Sequence, residues 1–197
     1  FLLALNILLL IVGCLMDVFS AMGLFGELYF MHRWMNEDIV NMIEAWSGPS
    51  ASHKDFSWDE LQIEVKTTGS EDQPRNHTIS SLGQLVEEGR PLLLFSMCAH
   101  VDVGGEESLC GLIEEIREEL EGEELVTFDN MLIQYGYTDE NPENDNFVFS
   151  LTQGPGEMYR IRDGFPRLLP PMLEGGVEID ERVNVSQYRI TLSNVDE

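Results

Sequence analysis

The chain opens on an almost unbroken apolar run, FLLALNILLLIVGCLM, interrupted only by Asn6 and ended by Asp17. A membrane-spanning helix needs about 20 such residues, and lengthening this run through DVFSAMGLF admits Asp17 and Ser20. Neither a basic stretch nor an initiator methionine precedes it, so it fits a secretory signal poorly and reads as the start of a fragment or processed product. From Gly23 the pattern changes: Leu24, Leu28, Met31 and Met35 fall at helical spacing, with Glu27 inside the apolar stripe. NEDIVNMIEAWSGPS continues the helical period to a Gly-Pro break. The alternation in DFSWDELQIEVKTT predicts two short strands about a turn. GSEDQPRNH reads as a polar loop, SSLGQLVEEG as a helix entered from a serine cap and left at Gly89, and PLLLFSMCAHV as a buried strand. ESLCGLIEEIREELEG predicts an amphipathic helix with Leu109, Leu112, Ile113, Ile116 and Leu120 on one stripe, and TFDNMLIQYGY extends the helical region. TDENPENDN is a loop by composition; NFVFSLTQ, EMYRIRD and VSQYRITLS read as strands. The pattern as a whole predicts an apolar helical segment over 1–22 and one α/β unit over 23–197.

Composition narrows the function classes. With 43% hydrophobic residues in 197, the chain can bury one sizeable core. Its formal charge of −25 argues against a broad basic nucleic-acid surface, so any DNA contact must be local. Two lysines stand against nine arginines, and the acid is spread along the chain. Such a surface suits either a high-salt cell interior, where screening removes self-repulsion, or an acidic protein of ordinary salt; the charge alone weighs these equally. Cys14, Cys98 and Cys110 are widely spaced and odd in number, which fits a reducing cytoplasm. Neither they nor the four histidines fall at zinc-ligand spacing.

Chemistry concentrates at the predicted hairpin. If FSWDELQI turns about Asp59 and Glu60 so that Trp58 pairs with Leu61, Asp55 stands opposite Glu64. Side chains so opposed have Cβ atoms about 4.5 to 5.5 Å apart. Lys66 projects from the same face as Glu64, about 6.6 Å further along, while Ile63 and Val65 point the other way into the core. Facing carboxylates repel unless something positive lies between them, and a divalent cation answers that need. Mg²⁺ takes hard oxygen ligands, here Asp55, Glu64 and the Val65 carbonyl, with Mn²⁺ as the alternative ion. Lys66 could orient the attacking water or stabilise charge on a phosphoryl transition state. The chemistry expected is phosphodiester hydrolysis.

The order of GE on a helix, then WSGPSASHKDF, IEVKTT and ISSLGQL, resembles a PD-(D/E)XK family of the restriction-endonuclease-like superfamily. The later YRIRDGFPRLLP and YRITLS are similar to the same family's C-terminal half. The resemblance implies a mixed central sheet flanked by helices and a metal-dependent DNA endonuclease, in a restriction or phage-defence setting. By position it implies Asp55 and Glu64 as metal ligands, Lys66 as the catalytic lysine, Glu27 as the acid of the first helix, and Gln84 as a substrate-positioning residue. Lys54 stands where the nominal motif has proline. Separately, LNILLLIVGCLMD resembles a membrane helix of the large permease subunit of tripartite ATP-independent periplasmic transporters.

Each residue also has a plainer reading. Glu-x-Lys alone is usually a solvated strand face; the opposed Asp55 and the resemblance together favour the site. Glu27, costly to bury unpaired, either reaches the polar site or snorkels out to solvent, and the burial cost favours the site. Arg160, Arg162 and Arg167 form the least acidic stretch and serve equally well as DNA-phosphate contacts or as partners of nearby acids. His53 and His77 read as loop polar groups, and Trp46 as scaffolding. A nuclease fold that only binds nucleic acid or a partner, a homodimer, and a membrane-anchored protein are the remaining expectations.

Overall fold

Asp17 starts the first described helix by accepting hydrogen bonds from the amides of Phe19 and Ser20. In the computed structural model, the described residues are 16–35, 38–49, 54–169, 187–193 and 195. Helix α1 (Val18–Tyr29) runs through position 23 without a break and winds on into a π-helical turn, Phe30–Trp34. The predicted boundary at 22/23 therefore falls inside one helix. The apolar run before it lies outside the described residues, and no helix among those described is long and apolar enough to cross a membrane.

Helix α2 (Ile39–Ala45) is followed by strands β1 (Phe56–Ser57) and β2 (Gln62–Thr68), then β3 (Asn76–Ile79), β4 (Leu92–Val101) and β5 (Glu107–Ser108). Helices α3 (Leu109–Glu119) and α4 (Gly122–Gln134) precede the long β6 (Val148–Ile161) and the final β7 (Tyr188–Thr191). Five strands form one mixed sheet in the order β1-β2-β4-β6-β5, with β2 and β4 parallel and the other pairs antiparallel. β3 and β7 make a separate antiparallel pair. The expected class, a mixed α/β restriction-endonuclease-like core, is what the chain adopts.

The two faces of the sheet bury different things. On one, Ile63 and Val65 join Phe25, Phe30, Phe95, Ile113 and Phe149 under the helices, with Phe25 and Phe149 stacked at 4.3 Å. On the other, Leu92, Leu94, Tyr159 and Ile161 pack with Ile79 and Ile190 of the β3–β7 pair. Burial of two apolar faces is what drives the layers together.

Local expectations failed where long-range partners decide. Residues 76–79, read partly as loop, form a strand because β7 pairs with them in register from Asn76↔Thr191 to Ile79↔Tyr188. SSLGQLVEEG yields only a 3₁₀ turn, Leu82–Leu85. Gly83 weakens the helix, and cationic side chains from elsewhere in the fold take the carbonyls of Gly83, Gln84 and Leu85. NFVFSLTQ and EMYRIRD are one strand carrying an irregularity opposite Ser96 and Cys98, where Gln153, Gly154 and Gly156 have positive φ.

Candidate active site

The hairpin forms in the expected register. Trp58 N donates to Leu61 O at 2.9 Å, Phe56 pairs with Ile63, and Asp55 N donates to Ile63 O at 3.2 Å, which leaves Asp55 facing Glu64. Among the described residues, no strand pairs with that side of β2 past Ile63, which leaves its edge unpaired at Val65. Its amide donates to Asp55 Oδ2 at 2.6 Å. A strand residue turns its N–H and C=O to the same side, so the Val65 carbonyl projects toward that edge too.

The Glu64–Lys66 face is not solvated, as a lone Glu-x-Lys tripeptide would suggest. Pairing carries it across the sheet as a row, Lys66↔Ser96↔Glu157, and β3 covers the row. Glu64 is 0% exposed, and its Oε2 has no hydrogen-bond partner among the described residues. Oε1 lies 2.6 Å from Lys66 Nζ as an ion pair. Burial and then the neighbouring Asp55 push the Glu64 carboxyl up to about 8, against the pull of Lys66. Asp55 is raised as well, by burial, and is held back by Lys66, the Val65 amide and Lys54. Burial works against the Lys66 ammonium, but Glu64 and Asp55 outweigh it and keep the lysine charged.

Glu27 reaches this cluster from α1 because Gly26 lets the helix backbone lie almost on β2. A Cβ at Gly26 would stand 1.8 Å from Thr67 Oγ1 and 3.5 Å from Val65 Cγ1. The polar partners that Glu27 meets are Trp46 and Tyr135, whose Nε1 and OH both donate to Oε2 at 2.6 Å. Trp46, read as scaffolding, thus holds an acid of the site. Burial first, then Asp55, raises the Glu27 carboxyl well above the carboxylate range despite those two donors.

Lys54 is the residue that sequence reasoning undervalued. It is buried, and its Nζ donates to Gly83 O at 2.5 Å and Gln84 O at 2.8 Å. Arg167, expected at DNA, donates to the next carbonyl, Leu85 O, at 3.0 Å and pairs with Glu87 at 3.4 Å. Two cations thereby hold three successive carbonyls of the turn that carries Gln84. The Gln84 side chain accepts from Ser80 N at 2.8 Å, its Oε1 closing its own loop. Arg160 and Arg162 are exposed at the end of β6. Both lysines of the chain, its whole supply of side-chain ammonium, feel the charges of Asp55 and Glu64, and Lys66 that of Glu27 as well.

His77, set aside as a loop residue, is 2% exposed on β3 with Nε2 2.7 Å from Ser96 Oγ. Burial, then Lys66 and Arg75, pushes its imidazole down to about 3, so it stays neutral. Arg75 is buried beside it and donates to Ser96 O and Gln153 O, both at 2.9 Å, while pairing with Glu157 at 3.2 Å. Alternating polarity around residue 77 was the one available signal, and the loop-like composition before it hid that signal. His53 lies outside the described residues. Cys98 and Cys110 are free thiols.

The site is thus an acid pair facing across a hairpin edge, with a lysine two residues on. A family model described as "Putative PD-(D/E)XK family member, (DUF4420)" matches residues 17–193. The chain belongs to that family. No curated protein and no solved structure matches it.

Proposed function

We propose that this PD-(D/E)XK chain hydrolyses phosphodiester bonds of DNA with a divalent cation, Mg²⁺ or in its place Mn²⁺. The observation that carries the reading is the Glu64 carboxylate, fully buried, paired with the Lys66 ammonium and facing the second buried acid Asp55. Two buried acids facing each other cost more than one ammonium offsets, and a cation shared with Asp55 would relieve that cost.

The donor set fits such an ion. Asp55, Glu64 and the Val65 carbonyl are hard oxygens, and Mg²⁺ commonly takes one or two carboxylates and completes its shell with water and phosphate. Among the described residues, no group of three or more His, Cys, Asp or Glu side chains is disposed to hold a metal. Three acids and two lysines leave the cluster with one net negative charge when all are ionised, so a divalent ion reverses its sign. When bound, it would supply Lewis-acid polarisation of the phosphoryl group and a more acidic water.

The remaining roles belong to the chain. The Val65 amide fixes one Asp55 oxygen and leaves Oδ1 free of that bond. Lys66 stays protonated beside Glu64, where its ammonium can hold the attacking water or meet charge developing on the phosphoryl oxygens. Glu27, braced by Trp46 and Tyr135, sets the field at the acid pair. Gln84, on a turn held by Lys54 and Arg167, would orient substrate. Exposed Arg160 and Arg162 are candidates for phosphate contacts. A restriction or phage-defence role, a homodimer that cuts both strands, and a cytoplasmic, high-salt setting complete the proposal.

A second reading has one observation in its favour. Complete burial of Glu64 suits a nuclease-fold protein that binds nucleic acid without turning it over. Plasmid cleavage with Mg²⁺, Mn²⁺ or EDTA, at low and molar KCl, separates the two. Cleavage that needs metal and is lost in Glu64→Ala and Lys66→Ala supports hydrolysis; binding without cleavage supports the alternative. Undiminished cleavage in both variants defeats the assignment, and the molar-salt arm tests the halophile expectation.

A further inference from the structure

Lys66 faces the acids at one end and a trough at the other. The trough, about 370 Å³, lies between α1 and the β3–β7 pair and is lined by Phe19, Met22, Lys66, Thr68, Asn76 and Arg189 among others. A second hollow of about 330 Å³ shares Phe19, Met22, Gly69 and Ser70 with it and carries the groove on to Val101. Its walls differ in kind. On one side stand Arg189, Asn76 and Thr68; on the other, Phe19 and Met22. Phe19 is 76% exposed, on a helix whose inner face is fully buried. A phenyl ring left in water beside a cation and an ammonium is a feature that folding alone does not require.

We propose that this trough seats an unpaired nucleotide of the substrate strand, with its base against Phe19 and its phosphate toward Lys66 and Arg189. The inference rests on the phosphodiester-hydrolysis reading and names the substrate form: single-stranded, flapped or locally opened nucleic acid. Charge decides between binding modes. Counterion release from many phosphate contacts is the usual source of affinity, and a chain of −25 that presents two cations to the trough cannot draw on it. Asp72 also lines the trough, with its carboxylate accepting from Ser70 Oγ at 2.9 Å, and makes a phosphate-rich duplex surface still less welcome. Base stacking on an aromatic ring, worth about 1–3 kcal/mol per base, does not depend on net charge. The volume suits a pocket for one small group rather than a groove for a duplex.

Fluorescence anisotropy with labelled single-stranded DNA, single-stranded RNA and blunt duplex DNA tests this, using Ca²⁺ in place of Mg²⁺ so that binding is read without turnover. The expected result is tighter binding of a single strand than of duplex, with the two polymers compared to identify which is preferred. Phe19→Ala weakens single-strand binding about tenfold and Phe19→Trp restores it, as stacking requires. Arg189→Gln lowers the salt slope by about one contact. Equal or tighter duplex binding, or Phe19→Ala and Phe19→Trp variants that bind alike, overturns the proposal. Circular dichroism verifies that the Phe19 variants fold. Single-strand binding that depends on Phe19 but is never followed by cleavage sinks the hydrolysis reading and leaves the stacking site standing. Metal-dependent cleavage of duplex that ignores Phe19 does the reverse.

Discussion

Lys66 Nζ stands 2.6 Å from Glu64 Oε1, on a strand face that Asp55 closes from the neighbouring strand. The ammonium occupies part of the positive field that a divalent ion would share. Lysine and cation therefore compete electrostatically for Glu64, while the proposed chemistry needs both.

Removing the lysine should split binding from turnover. Lys66→Met is expected to bind Mn²⁺ at least as tightly as the wild type, because unit charges about 4 Å apart repel by about 4 kcal/mol at an effective dielectric of 20. Cleavage should fall by ~10²-fold or more through loss of transition-state stabilisation. Glu64→Gln should lose Mn²⁺ binding outright. Titration calorimetry with both variants checks the split; equal loss of metal affinity would make Lys66 a structural partner only.

The buried titrating groups give the metal-free protein a stability maximum in mildly acid solution. His77 is pushed down to about 3 from an ordinary 6.5. The unfolded chain therefore binds more protons in that interval, and stability is lost as pH falls from 6.5 toward 3. Glu64 is pushed up to about 8 from 4.5. There the folded chain holds the extra proton, so stability is lost as pH rises from 4.5 through 8. Thermal melts in EDTA should show Tm highest between about 4.5 and 6.5, where the two slopes oppose each other. His77→Gln should flatten the acid limb and leave the alkaline one in place, while Glu64→Gln should make the alkaline limb shallower, the raised Glu27 and Asp55 supplying the rest of its slope.

Gly26 sets how closely α1 approaches β2. Gly26→Ala puts a methyl 1.8 Å from Thr67 Oγ1 and 3.2 Å from its Cβ, so the Thr67 side chain must turn away or the helix must shift. Overpacking of this kind costs about 1–3 kcal/mol, and because Glu27 is the next residue, activity should fall further than stability accounts for. Thr67→Ala in the same chain removes the obstructing oxygen and should recover most of both. Urea unfolding alongside cleavage rates reads the two effects separately.

Lys54 should behave as a brace for the turn that carries Gln84. Lys54→Met leaves the Gly83 and Gln84 carbonyls without their ammonium, a loss of about 1–3 kcal/mol. Amide exchange across residues 80–88 should quicken while that of α3 stays unchanged. Lys54→Arg should restore part of the protection; identical exchange in all three proteins would dismiss the brace.

What could be read from the sequence was what spacing controls. The turn at Asp59 and Glu60 fixes the register that brings Asp55 opposite Glu64, and two-residue alternation alone puts Ile63 and Val65 opposite to Glu64 and Lys66. Gly26 next to Glu27 is likewise local. The parts that escaped depend on partners far along the chain. Residues 76–79 become a strand only because residues 188–191 return to pair with them, so a buried neutral His77 looked like a loop polar group. Lys54 and Arg167 work through carbonyls some 30 and 82 positions away, and pattern reading sees neither. Tyr135 meets Glu27 across 108 residues, a contact that no helical periodicity in α4 announces.

Both lysines lie against the acid cluster, Lys54 at 2% exposure and the Lys66 side chain at 16%. Amine-directed acylating dyes and crosslinkers thus meet no lysine elsewhere on the surface. A side-chain amine that takes up such a reagent marks the cleft itself, and its protection by an added ion or oligonucleotide can be followed by mass spectrometry as a footprint.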